Sequence, residues 1–144
     1  MSKRNTAARQ KPARVFVLDS EALPLAVQGD RAMIARIDLV ASGEAEVVTS
    51  PMTLIEAHDG RTTEQRWDWI LSRLTVADTG NDEARQARQA RRLLTDAGLH
   101  GHKYAIDAVL AVIARRQKGQ VTVFTSDTDD LERLVPDTIV VKKV

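Results

Sequence analysis

Four carboxylates stand where this sequence can do chemistry. Asp19 directly follows the apolar run Val15-Phe16-Val17-Leu18, and Asp127 comes just after the β-branched run Val121–Thr125. Glu56 belongs to the stretch after Ser50-Pro51, and Asp107 sits among Ile106, Val109 and Leu110. Acids gathered in one place do acid–base work or hold a hard divalent cation, because apart from a cation they repel and raise one another's pKa. Each also has an ordinary reading. An Asp at a strand end is often only a turn former or helix cap. Glu56 alone is a surface residue, and Asp107 can pair with an Arg or share a polar face with Lys103. The run Asp127–Asp130 can merely cap a short helix beginning near Leu131, with Asp129 doing only that. Asp107 is the least ordinary of them, since a carboxylate among apolar neighbours is costly to bury unpaired.

The elements that position these acids follow from pattern. Val15–Leu18 is apolar on both faces, as a strand covered by helices on both sides of a parallel sheet must be. A short helix is expected near Ala22–Val27 and a longer one from Arg31 to Ala41, capped by Asp30 and stopped by Gly43. Ala45–Thr49 reads as the second strand, with Ser50 as N-cap and Pro51 at the first helical position of the next helix, so Glu56 is expected near that helix's beginning. Trp67, Ile70, Leu71 and Leu74 fall at helical spacing within residues 62–74, followed by a short strand at Leu74–Ala77. Asp82–Ala97 is helical by propensity and ends at Gly98. A helix at Tyr104–Gln117, the strand Val121–Thr125, a short helix and a last strand at Thr138–Val141 complete the order. Strands alternating with helices give an α/β sandwich with a mainly parallel sheet. In such a sheet ligands gather beyond the carboxyl ends of the strands, where Asp19 and Asp127 should meet.

The chain has 144 residues and a mass of 15.9 kDa, enough for one domain with its own core. It has no cysteine, which excludes thiol catalysis, thiolate zinc sites and disulfides. Hydrophobic residues make up 43% and charged residues 28%, an ordinary globular composition. The net charge of +1 hides an asymmetry: Lys3, Arg4, Arg9, Lys11 and Arg14 stand without an acid in residues 1–14, so the rest is net acidic. Residues 1–14 are expected to form a flexible basic arm, either touching nucleic-acid phosphates or only solubilising the chain. No signal-peptide core and no run long enough to span a bilayer is present, so a cytoplasmic protein is expected.

Other constellations are weaker. His58, His100 and His102 follow no zinc-ligand spacing. His58 lies two residues from Glu56 and so points elsewhere, and His100 and His102 flank Gly101 in an expected loop. Arg85, Arg88, Arg91 and Arg92 can track RNA phosphates or form a solvated face partly paired with Glu83 and Asp96. No Gly-rich nucleotide fingerprint is present.

Four segments in order carry a family resemblance: Val15-Phe16-Val17-Leu18-Asp19-Ser20, Ser50-Pro51-Met52-Thr53-Leu54-Ile55-Glu56, Tyr104-Ala105-Ile106-Asp107-Ala108-Val109-Leu110-Ala111 and Thr125-Ser126-Asp127-Thr128-Asp129-Asp130-Leu131. From about Val15 to the C-terminus the chain resembles the PIN domain family, and within it the VapC-type toxin ribonucleases of bacterial toxin–antitoxin pairs. The resemblance implies a three-layer α/β/α sandwich with a mainly parallel central sheet over residues 15–144. It implies that Asp19, Glu56, Asp107 and Asp127 form an acidic metal-binding quartet, with Asp130 as a further acid and Ser20 supporting the first carboxylate. One or two Mg²⁺ or Mn²⁺ ions are expected, held mainly by Asp19, Asp107 and Asp127, while Glu56 binds through water or orients and deprotonates the attacking water. The implied activity is hydrolysis of RNA phosphodiester bonds; Arg85 and Arg88 are candidates for substrate contact by their own spacing and not through the resemblance. The implied partners are a cognate antitoxin and a second copy of the chain, the latter across the Trp67, Trp69, Ile70 helix unless that stripe is core. Glu21 departs from the family pattern, and neither the arm nor the Arg-rich helix belongs to it. Two other functions compete: a phosphatase using Asp19 as nucleophile, and a PIN-like RNA-binding or regulatory module without activity.

Overall fold

The computed structural model describes residues 14–144 apart from Thr79. The basic arm falls outside the described residues except for Arg14, which opens the first strand instead of ending the arm. The elements in order are β1 Arg14–Leu18, α1 Ala22–Gln28, α2 Arg31–Ala41, β2 Ala45–Thr49, α3 Pro51–Glu56, α4 Glu64–Leu71, β3 Thr75–Val76, α5 Glu83–Ala97, α6 Gly101–Arg116, β4 Gln120–Thr125, α7 Thr128–Glu132 and β5 Val140–Lys143. The strands form one sheet in the order β3-β2-β1-β4-β5, with every pairing parallel. Helices cover both faces, so the architecture is the expected α/β/α sandwich.

Alternation along β1 builds the two halves of the core, because successive strand side chains point to opposite faces. Phe16 and Leu18 pack with Leu23, Met33, Ile37, Trp67 and Ile70 of α1, α2 and α4. Val15 and Val17 pack with Leu110 and Ile113 of α6 and Leu131 of α7. Phe16 and Phe124 meet edge to face across the β1–β4 pair, with ring centroids 5.6 Å apart. Ala90 and Leu94 lay α5 against Ala108, Ala111 and Val112 of α6. Each fully buried Leu or Ile in these clusters contributes about 1.5–3 kcal/mol.

Local chemistry sets several boundaries as expected. The Asp30 side chain accepts from Met33 N at 3.0 Å at the start of α2, and Ser50 Oγ accepts from Met52 N at 3.0 Å ahead of Pro51. Gly98 ends α5 with φ 69°, a left-handed conformation that favours glycine.

Other expectations are corrected. Trp67 and Ile70 are core residues on α4, so they cannot form an interface between copies, and only Trp69 of that trio is exposed. Its indole ring stacks with Arg66 and Arg73, whose guanidinium carbons lie 4.5 Å and 3.8 Å from its centroid. Helix α6 begins at Gly101, three residues before the expected Tyr104, which places His100 at its N-cap and His102 in its first turn. Helix α7 starts at Thr128 and not near Leu131. The last strand is shifted to Val140–Lys143 because its register is set by β4, with Thr122 opposite Val140 and Thr125 opposite Lys143. Glu56 is the last residue of a six-residue helix, not an early one.

Candidate active site

Strands β2 and β4 lie on opposite sides of β1, so the connections after β1 and β4 part at the carboxyl edge of the sheet. A crevice opens at such a switch point. Asp19 leaves β1 there. Its backbone N–H donates to Phe124 O at 3.2 Å, extending the ladder by one residue, and its carbonyl accepts from Leu23 N at 3.0 Å. Its Oδ1 accepts from Glu21 N at 2.8 Å and Ala22 N at 2.9 Å, so the side chain secures the entry to α1. The turn-former reading is therefore correct for this residue, since the N-cap position of α1 is Glu21, and it coexists with a place in the crevice.

Asp19, Ser20, Glu21, Glu56, Asp107 and Asp127 line one cavity of about 180 Å³, with Lys103, Ile106, Thr125 and Ser126 completing its wall. Other hollows are larger, the two most voluminous of them about 380 Å³ between α5 and α6 and about 400 Å³ between α3 and α4. Size does not select the smaller cavity; the concentration of acids does. All four carboxylates of the expected quartet come to it, from four different elements or their ends.

The acids act on each other. Asp19 is 5% exposed, and burial raises its carboxyl above the ordinary range against hydrogen bonds from Thr125, Ala22 and Glu21, with the Glu56 charge adding to the rise. Asp107, half-buried on α6, is pushed up to about 6, first by burial and then by Asp19, Glu56, Asp130 and Asp127. Asp130 is raised by burial, by a hydrogen bond with the Asp127 side chain and by the Asp127 charge, against the pull of Lys103 and Arg133. It does not line the cavity, yet it belongs to the same electrostatic cluster. Lys103 is the one basic side chain in the wall, and it is exposed.

Hard carboxylate oxygens with unrelieved mutual repulsion fit Mg²⁺ or Mn²⁺ in donor chemistry. As the side chains stand, no three His, Asp or Glu groups among the described residues are close enough to grip one ion together. The acids ring the cavity.

The remaining candidates lie elsewhere. Arg85 and Arg88 are on the exposed face of α5 and line no part of this cavity. His58 lines the α3–α4 groove, and His100 and His102 are exposed at the start of α6. Arg85 pairs with Asp82 at 3.5 Å and not with the expected Glu83 or Asp96. Thr125, given no separate role by the sequence, is almost fully buried; its Oγ1 accepts from Asp127 N at 3.1 Å, and its side chain hydrogen-bonds Asp19. It ties the first and last carboxylates together. A hydroxyl residue ending a strand just before an Asp is the signal that marks it.

No protein-family model matches the chain, and neither does any curated protein. Among solved structures it is similar to a chain of the crystal structure of VapBC2 from Rickettsia felis bound to a DNA fragment from their promoter. The superposition has a TM-score of 0.62 and covers 90% of this chain and 98% of that one, at 17% sequence identity. This is a likeness of fold. It agrees with the expected architecture, a three-layer α/β/α sandwich with a mainly parallel sheet, which is parallel at every pairing.

Proposed function

We propose that the chain is a Mg²⁺- or Mn²⁺-dependent ribonuclease, with residues 15–144 as its PIN-like nuclease domain and residues 1–14 as an appended basic arm whose last residue joins β1. The observation that carries this is the convergence of Asp19, Glu56, Asp107 and Asp127 on one cavity at the switch point of the sheet. Asp19, Asp107 and Asp127 hold the cation, and Asp130 supports Asp127 from behind. A bound divalent ion lowers the pKa of water and neutralises charge growing on the phosphate. Glu56, exposed at the mouth, orients the attacking water and takes its proton. Ser20 supports Asp19, and the amides of Glu21 and Ala22 hold the Asp19 carboxyl in place.

The test is cleavage of a labelled RNA by the purified chain with Mg²⁺ or Mn²⁺. We expect EDTA to abolish it and Asp107→Asn to lower it at least about a hundredfold in a folded protein, since even residues supporting metal ligands are worth 10–100-fold. Unchanged cleavage in the variant would sink the assignment. One observation favours a second reading, an RNA-binding module without activity: no three acids yet stand within reach of one ion. RNA binding without cleavage at any metal concentration selects that module. Hydrolysis of small phosphate esters in place of RNA selects a phosphatase.

We further propose that the nuclease is the toxin of a toxin–antitoxin pair acting in the cytoplasm, and that it is a homodimer. The similarity to a VapBC2 chain supports a protein partner, as do Met52 and Ile55, 43% and 68% exposed on α3 beside Glu56. Expression alone should arrest growth, and co-expression of a short neighbouring reading frame should relieve it. Sedimentation of the purified chain reports the dimer.

A further inference from the structure

The groove between α5 and α6 has a different chemistry from the acidic cavity. Gln89, Arg92, Leu93, Asp96, Val112, Arg115 and Arg116 line it over about 380 Å³. Its floor is apolar, from Leu93 and Val112, and its rim has three guanidinium groups against one carboxylate. Two of the three are anchored. Arg115 Nε donates to Leu134 O at 3.0 Å, and Arg116 Nη2 donates to Gln89 Oε1 at 2.8 Å while its Nη1 lies 3.3 Å from Asp82. These bonds fix the guanidinium planes and leave other N–H groups of each fork unused. Arg92, and Arg88 one turn before it, make no ion pair among the described residues. Asp82 already engages Arg85 as well as Arg116, so Arg85 is the least available cation of the α5 row.

Pre-positioned guanidinium groups recognise phosphate through paired N–H donors. An apolar floor beside them suits an unstacked base and has no use for the outside of a duplex, whose bases are turned inward. Arg115 and Arg116 lie eight and nine residues beyond Asp107 on α6, about 12–14 Å along its axis. A strand of a few nucleotides spans that distance.

We propose that the α5–α6 groove binds the backbone of single-stranded RNA a few nucleotides away from the acidic cavity, with Arg92, Arg115 and Arg116 on phosphates and Leu93 and Val112 under a base. The choice of RNA rests on the ribonuclease reading above. The groove supplies the attraction that an acidic cavity cannot, and it holds the strand in a fixed position relative to the cluster.

The test is equilibrium binding of a labelled RNA dodecamer to the full chain in EDTA, so that no cleavage intrudes, over a series of salt concentrations. Arg92→Gln removes an exposed charge of the groove with no ion-pair partner among the described residues. We expect it to weaken binding about threefold and to lower the salt slope by about 0.7, the share of one lost phosphate contact to a single strand. Asp96→Asn, which removes the groove's one acid, should tighten binding, so the proposal does not depend on a loss that misfolding could mimic. Equal affinity and slope in the wild type and both variants overturn it. Equal arginine-dependent binding of a DNA duplex overturns the single-strand assignment, and equal binding of single-stranded DNA overturns the choice of RNA. Cleavage in Mg²⁺ is scored separately: a chain that cuts RNA with no arginine dependence fails here alone, and one that binds through the groove but never cuts fails the ribonuclease reading.

Discussion

Asp107 concentrates the repulsion among the crevice carboxylates, and its acidity links the site to the stability of the fold. With its carboxyl near 6, against an ordinary 3.8, the folded metal-free chain holds a proton that the unfolded chain has released between about pH 4 and 6. The folded state binds more protons in that window, so this group's contribution to stability falls as pH rises through it. Asp107→Asn removes the penalty. A shift of about two units corresponds to roughly 3 kcal/mol in full, and solvent screening of a half-exposed group reduces that to about 1–2 kcal/mol. The variant should therefore melt about 3–6 °C higher than the wild type at pH 7 without metal, while losing its RNA cleavage. A melt that is lower, or unchanged at every pH, would show that the cluster does not strain the fold. Asp19 separates the same two roles differently. Asp19→Asn keeps an oxygen for the Glu21 and Ala22 amides and should fold normally without activity, whereas Asp19→Ala also loses these two turn hydrogen bonds and about 1 kcal/mol in a denaturant melt.

At the scale of elements, what could be read from the sequence was what neighbouring residues decide. Asp30, Ser50-Pro51 and Gly98 mark helix ends through bonds made within a few residues, and the structure places those ends there. Asp19 and Asp127 were legible as crevice residues because one directly follows an apolar strand and the other stands two residues past the end of another. The features that escaped depend on distant parts of the chain. Gly101 is a poor helix former, yet it opens α6 where the chain turns back along α5, with the nearest side-chain atom, Leu94 Cδ1, 3.9 Å from where a Cβ would sit. The register of β5 comes from β4, and the short span of α3 is what leaves Glu56 at its end. The hydrogen bond between Asp130 and Asp127 and the Thr125 hydroxyl between Asp19 and Asp127 need the folded crevice to be visible at all. The two glycines flanking the α5–α6 turn give opposite predictions. Gly98→Ala puts a side chain at φ 69° and should cost about 1 kcal/mol in a denaturant melt. Gly101→Ala has helical backbone, and its methyl group would meet Leu94 at ordinary contact distance, so it should gain about 0.5–1 kcal/mol.

Over the whole molecule, a divalent ion should act as a stabiliser whose effect depends on pH. Binding to the folded state alone raises stability with ion concentration, and the ion must displace the proton from Asp107 before it binds. Thermal melts should rise with Mg²⁺ or Mn²⁺ at pH 7.5 and much less at pH 5; an equal rise at both would place the ion elsewhere. The strand order has a further consequence, for the making of the protein. The central strand β1 emerges first from the ribosome, but its partner β4 begins only at Gln120, and the carboxylates of the cavity are spread from residue 19 to residue 127. Such long-range pairing folds slowly and late. A nascent chain lacks both the β1–β4 pairing and a complete acid cluster until residues 120–127 have been translated. If the chain cuts RNA, it is thus harmless to its own message up to that point, and the delay comes from topology.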